Sequence, residues 1–284
     1  MKRGWKIFWI TCGAVAGTGA ACMLCGAAMG ATLHAAKTYF PDWIGPGREG
    51  AAVYEHGDGP SETETDGVYR DIRSLHLETE GLSVQILAGE DGKVTVRTED
   101  VDPDLELEVK EEEGELRVET MAEHLPLRLN SRGHLGNVWI YLPPAAALEK
   151  ADLTVGVGEL YVEEIQAEEL DLEVGTGSAE VDRFTAGDLD VEVGVGAATL
   201  EGVTRRDADL SCDLGSLAYT DAGRMEDFNY ELDCGVGELR LDGDKYSGID
   251  VEKYIDNRAD KTMHISCDVG SADIRFAGQQ TVFK

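Results

Sequence analysis

The chain has 284 residues, enough for a substantial core, with 56 Asp and Glu against 25 Lys and Arg and a formal net charge of −31. Every acidic residue lies at or after Asp42, so the surface beyond that point is more acidic than the total suggests. Nucleic acid, which needs clustered Lys and Arg, is excluded as a partner, and an anionic bilayer surface would repel this part of the chain.

Residues 7–33 (IFWITCGAVAGTGAACMLCGAAMGATL) contain no charged side chain. The run exceeds the roughly 20 residues that span a bilayer, so residues 1–36 read as a short N-terminus and one transmembrane helix. Lys2, Arg3 and Lys6 precede it, which places the N-terminus in the cytoplasm and the bulk of the chain outside the cell membrane. Gly13/Gly17 and Gly26/Gly30 have the spacing that lets helices pair closely, and a helix-mediated homodimer is one expectation. Two cleaved alternatives stand beside the anchor. One is a secretory signal peptide; the other is lipoprotein processing at Cys22, behind Gly19-Ala20-Ala21.

Residues 37–68, rich in Gly, Pro, Ser, Thr and acids, form a flexible linker. Alternating strands then recur about every ten residues: LHLET (75–79), LSVQIL (82–87), KVTVRT (93–98), LELEVK (105–110), ELRVET (115–120) and NVWIYLPP (137–144). The stretch LELEVKEEEGELRVET predicts a hairpin. Residues 69–150 are expected to be a β cap covering the first edge of the repeat region.

Six copies of one unit fill the rest, 151–278: LTVGVGELYV (153–162), LEVGTGSAEV (172–181), VEVGVGAATL (191–200), LSCDLGSLAY (210–219), LDCGVGELRL (232–241) and ISCDVGSADI (265–274). Their anchor glycines are Gly158, Gly177, Gly196, Gly215, Gly237 and Gly270; the first three steps are 19 residues each, then 22 and 33. Such a period with internal alternation predicts a solenoid, because one unit cannot bury its apolar face alone. Counting from the anchor, positions −5, −3 and −1 are apolar at period two and are expected to share the inner face. After the glycine the phase shifts, with +2 and +4 apolar and +7 holding Ile165, Phe184 and Val203. A bend at glycine, which accepts unusual φ, would keep both strands facing one interior. The expected fold is all-β: a parallel β-solenoid (69–284) with an N-terminal β cap behind one transmembrane helix. An antiparallel sandwich fits less well. Residues 244–262 interrupt the last step and are expected to project as a loop or short helix.

Cys212, Cys234 and Cys267 all stand at −3, where the earlier copies carry Val. They read as buried free thiols filling the core. A Cys212–Cys234 disulfide is the alternative if those two coils are neighbours. Position −6 reads Asp152, Asp171, Asp190, Asp209, Glu231 and His264. Stacked carboxylates could attract Ca²⁺, but neither a calcium-coil pattern nor an EF-hand loop is present, and a solvated face is the simpler reading.

No catalytic motif appears, the six His are scattered, and acids repeated in every coil look unlike one tuned pair. Catalytic, cofactor-binding and metal-binding residues are therefore assigned to none, and the chain reads as no enzyme. The VWIYLP stretch at 138–143, followed by LTVGVGELYV and its successors, resembles the bacterial putative-adhesin family of β-strand-repeat domains over roughly 70–278. The resemblance implies a bacterial-envelope setting and no catalytic residues. The expectation is a membrane-anchored, extracytoplasmic binding, adhesion or scaffold module with a cell-surface protein or glycan as ligand. An accessory role in envelope-stress signalling through a membrane partner is the alternative.

Overall fold

The computed structural model describes residues 67–89, 92–121, 135–144, 146–247 and 251–278. The apolar run at 7–33 and nearly all of the linker lie outside the described residues. Among those described, no helix is long and apolar enough to cross a membrane.

Alternation in each copy gives short parallel strands whose inner side chains are fully shielded. All residues at −5 and −3 are buried, as are all at +2 and +4, from Leu153, Val155, Leu160 and Val162 in the first copy to Ile265, Cys267, Ala272 and Ile274 in the last. A further inner column at −7, with Ala151, Leu170, Leu189, Ala208, Tyr230 and Met263, extends the same face. Each large aliphatic side chain so buried contributes about 1.5–3 kcal/mol. Within one turn the inner residues fall into three runs, Ile165/Ala167, Leu170/Leu172/Val174 and Ala179/Val181. The odd steps between runs are bends, so each coil has three short sides.

Position −1 departs from the expectation. Val195 and Leu214 are 60% exposed, Val269 56% and Val236 68%. The chain bends over −2 to 0, and −1 sits at the apex of that bend with its side chain outward. The apolar alternation therefore ends at −3. Position +7 also departs in one coil. Ile165 and Phe184 are buried, but a register shift pairs Gly202, not Val203, with Phe184. The Phe184 ring fills the space beside Gly202, where a β-carbon would come within 2.4 Å of it, and Val203 is left half-buried.

The anchor glycines are needed chiefly for clearance. Only Gly158 among them has a left-handed φ, +141°. At Gly177, Gly196 and Gly215 a β-carbon would lie 2.3 Å from the carbonyl oxygen of the anchor one coil earlier, at Gly270 2.4 Å and at Gly237 2.6 Å. That oxygen accepts the +1 amide of the next coil, as in Ala197 N–H to Gly177 O at 3.0 Å. The glycines thus form a column in which backbone packs on backbone.

The coils do not stack in chain order. Copy one lies on β7 (Ala147–Val162), and copies two and three run through β8 (Ile165–Val174), β9 (Ser178–Val193) and β10 (Ala197–Thr204). Copy four occupies β11 (Ala208–Cys212) and β12 (Ser216–Asp221), copy five β13 (Phe228–Cys234) and β14 (Glu238–Leu241), and copy six β17 (Lys261–Cys267) and β18 (Ser271–Phe276). β17 pairs in parallel with both β11 and β13, and β18 with both β12 and β14. Copy six therefore fills the slot between copies four and five. The other end repeats the device. β2 (Ser74–Ala88) is a coil seated between copy one and an outer coil made by β5 (Glu115–Thr120) and β6 (Asn137–Leu142). The segment 69–150 thus supplies two coils of the stack as well as a cap.

Both ends close with antiparallel strands. β4 (Leu107–Glu112) borders β5 through the expected hairpin, whose turn residues Glu113 and Gly114 have φ of 53° and 86°. β3 (Val94–Glu99) borders β6, and β1 (Gly67–Tyr69) borders β3. At the far end the described residues of the interruption after copy five form strands and no helix. They give β15 (Asp244–Ser247) on β14 and β16 (Val251–Ile255) on β13. Short, charged, antiparallel edge strands hinder the end-to-end pairing that an open solenoid invites.

Candidate functional site

Among the described residues two continuous features stand out on the outer surface, each made by stacking one repeat position. The first is the ridge at −1. In spatial order it runs Val195, Leu214, Val269, Val236, since the amide of each of the last three donates to the −2 carbonyl of the coil before: Leu214 to Gly194 at 2.9 Å, Val269 to Asp213 at 2.8 Å and Val236 to Asp268 at 2.6 Å. Coils stack about 4.8 Å apart, so four apolar side chains follow one another over about 14 Å. These four are a majority of the seven large exposed hydrophobics among the described residues, and they lie together rather than scattered. Asp213 and Asp268 flank them at −2, and Glu238 stands beside the ridge at +1.

The second feature is the ladder at −6. Strand register aligns His76, Asp152, Asp171, Asp190, Asp209, His264 and Glu231 in that order. The four aspartates are consecutive. Beside them Glu169, Asp188 and Asp207 help line a shallow open groove of about 510 Å³. Crowding withdraws part of the water from Asp190 even though its side chain reaches solvent. That desolvation, and then the like charges of Asp209, Asp171 and Glu192, push its carboxyl above the usual range. Cations meet part of this charge. Lys150 Nζ lies 2.6 Å from Asp171, and that hydrogen bond raises the Lys150 pKa. Arg206 binds Asp188 at 2.8 Å and Glu168 at 2.9 Å, and the bond from Arg206 holds the Asp188 carboxyl below its ordinary value. At the near end His76 Nδ1 lies 3.1 Å from Asp152 and Nε2 3.3 Å from Glu119. Among the described residues no group of His, Cys, Asp and Glu is arranged to hold a metal ion.

Asp221, the buried acid among the described residues, is of another kind. Asp221, Thr204 and Tyr219 are at most 1% exposed. Asp221 accepts from the amides of Thr204 at 3.1 Å and Gly223 at 2.6 Å and from the Tyr219 hydroxyl, which also meets Thr204 Oγ1 at 2.9 Å. Burial, then the adjacent carboxylate, drives the Tyr219 pKa upward. The network is sealed from solvent, so no substrate reaches it; it holds the bend after β12. Sequence reading missed it because its members lie in two different copies. The aspartate at 221, alone among apolar partners in its register, was the available signal.

Cys212, Cys267 and Cys234 are buried thiols in adjacent coils, in that order. The Cys212–Cys234 pairing considered from sequence is therefore not between neighbours, because Cys267 lies between them.

The Toastrack DUF4097 family model matches residues 72–253. A comparison with curated protein sequences finds no match. Solved structures similar to this chain include a putative cell adhesion protein from Clostridium sporogenes, 12% identical, covering 75% of this chain and 100% of that one with a TM-score of 0.43. A putative adhesin from Parabacteroides distasonis is 14% identical and covers 74% and 96%, with a TM-score of 0.38. A putative lipid binding protein from the same species is 10% identical and covers 77% and 96%, with a TM-score of 0.28.

Proposed function

Because the chain belongs to the Toastrack DUF4097 family, we propose that it is a non-catalytic binding module, held by residues 7–33 on the outer face of the cell membrane and engaging a protein partner along the ridge at −1. The observation that carries this reading is the run Val195, Leu214, Val269, Val236, four large apolar side chains kept in water on a rigid corner. More than half of each residue's surface stays in water, so burial within the coil accounts for little of their choice. Protein recognition uses such strips, with apolar side chains at the centre and polar ones at the rim. The flanking acids Asp213 and Asp268 favour a segment whose apolar residues are bordered by Lys or Arg, whereas Glu238 is already paired with Arg240 and Lys245. A glycan ligand is less well suited, because among the described residues no exposed aromatic row accompanies the ridge.

The test is capture by the 41–284 fragment from membrane-protein extracts and from cell-wall glycans. Capture of a membrane protein that is lost in the Val195→Ser/Leu214→Ser/Val236→Ser/Val269→Ser variant supports the proposal. Equal capture by that folded variant, or capture of glycan alone, contradicts it. Protease added to intact protoplasts tests the placement: the repeats should be digested, and full protection contradicts an outward-facing domain.

A further inference from the structure

Along the inner column at −3, spatial order reads Val155, Val174, Val193, Cys212, Cys267, Cys234. The change from valine to cysteine coincides with the coils whose order departs from the chain. Copy six enters between two coils that precede it in sequence, and both of its edges are made only by hydrogen bonds and packing. Val would serve equally well as a filler at this position, as it does in three coils running. Three consecutive thiols at the non-sequential junction of this end therefore require another explanation.

We propose that Cys212 and Cys267 are a disulfide site, a covalent staple that fixes the out-of-order coil to its neighbour. In-register residues of adjacent parallel strands have Cα atoms about 4.8 Å apart, inside the window of about 4.4–6.8 Å that a disulfide accepts. Cys212 and Cys267 are such a pair, with both side chains directed into the same interior. In the closed coil the neighbouring Cys267 thiol draws the Cys212 thiol down to about 7. The Cys267 thiol is in turn pushed upward by Cys212 and by burial. Cys234 is equally adjacent to Cys267 in register, and the Cys234 and Cys267 Sγ atoms both lie near a carbonyl, that of Tyr246 at 3.7 Å and that of Glu238 at 3.8 Å.

The oxidant is a low-molecular-weight disulfide, R–S–S–R. The Cys212 thiolate attacks one of its sulfurs and expels R–S⁻, which takes up the proton that Cys212 lost. The Cys267 thiolate then attacks the Cys212 sulfur of the mixed disulfide and expels the second R–S⁻, which takes the Cys267 proton. Two protein thiols become one disulfide, and R–S–S–R becomes two R–SH. Both thiols are only 1% exposed in the closed coil. Exchange therefore takes place before β17 docks or while it is lifted, and the finished bond is shielded from reductants.

The experiment is refolding of the full chain in a buffer of oxidised and reduced glutathione, followed by peptide mapping without reduction. The expected result is a Cys212–Cys267 linked peptide with Cys234 free, and a melting temperature several degrees above that of the same protein refolded with a dithiol reductant. Cys234→Val should keep the link, and Cys212→Val and Cys267→Val should each remove it. Valine already occupies this column in three coils, so these variants are expected to fold. Should either fail to fold, mapping of the unaltered protein still decides the matter. Three free thiols after oxidative refolding would overturn the proposal, as would a link made to Cys234 or to a cysteine of the apolar run. A correct link that leaves melting unchanged would overturn the role as a staple.

Discussion

The carbonyl oxygen of Gly177 stands 2.3 Å from the place a β-carbon on Gly196 would take. The obstacle is backbone on both sides, so no side chain can rotate to relieve it. Gly196→Ala should force the coils apart and cost more than about 2 kcal/mol, by the overpacking it imposes. Gly194, two residues earlier in the same bend, has its nearest obstacle at 3.1 Å. Gly194→Ala should be clearly milder. Chemical denaturation of the two variants decides this; equal losses would show that clearance from the neighbouring coil does not set the need for glycine at the anchor.

Val193 is fully buried with Val174 and Cys212 as register neighbours, while Glu192 faces solvent. Val193→Asp buries a carboxylate with no partner and should cost several kcal/mol, whereas Glu192→Ala should stay within about 0.5 kcal/mol. Comparable melting losses would refute the assigned strand phase.

Asp190 has a raised carboxyl pKa in the folded chain. The folded state therefore binds this proton more tightly than the unfolded state. The resulting stability is fully present below the unfolded value, near 3.9, and is lost as pH rises through the folded pKa. Asp190→Asn cannot ionise and should melt slightly higher than the parent at pH 7 in low salt. The gain should stay within about 0.5 kcal/mol, because solvent and salt screen the ladder, and should vanish near pH 3. A gain that persists at pH 3 would place its cause outside ladder electrostatics.

The aspartates of the −6 ladder should bind divalent cations only weakly. Lys150 and the flanking Arg206 already meet part of the local charge. Melting in millimolar Ca²⁺, in Mg²⁺ and in NaCl of matched ionic strength should give similar small shifts. A rise of many degrees seen with Ca²⁺ alone would make the ladder a metal site.

Inner positions −5, −3, +2 and +4 were readable from the period because burial of alternate side chains is a property of each coil by itself. So was the hairpin of β4 and β5, where Glu113-Gly114 marks the turn. The −1 residues were misread because Val195 and Leu214 continue the apolar alternation on paper, while the bend at −2 has already turned the chain outward. Coil order was not readable, since every coil offers similar pairing edges and the period says nothing about which edges meet. One hint existed: copies four and six, which are neighbours, share Ser-Cys-Asp before the anchor and Gly-Ser at it (211–213, 215–216; 266–268, 270–271). A second was Asp242-Gly243, whose φ values of 47° and 90° make the tight turn into β15. Among the outer features, the acidic ladder was legible as a column, and the apolar ridge was not, because it was assigned to the core.

The placement of the −1 column decides both the corner geometry and the binding surface. Its most direct test is maleimide labelling of Leu214→Cys in a chain whose Cys212, Cys234 and Cys267 are replaced by Val, with the N-terminal cysteines Cys12, Cys22 and Cys25 replaced by Ala. The label should react in the native state at nearly the rate of a cysteine in an unfolded peptide, with the fold retained. Reaction only upon unfolding would put Leu214 in the core and remove the ridge on which the proposed function rests.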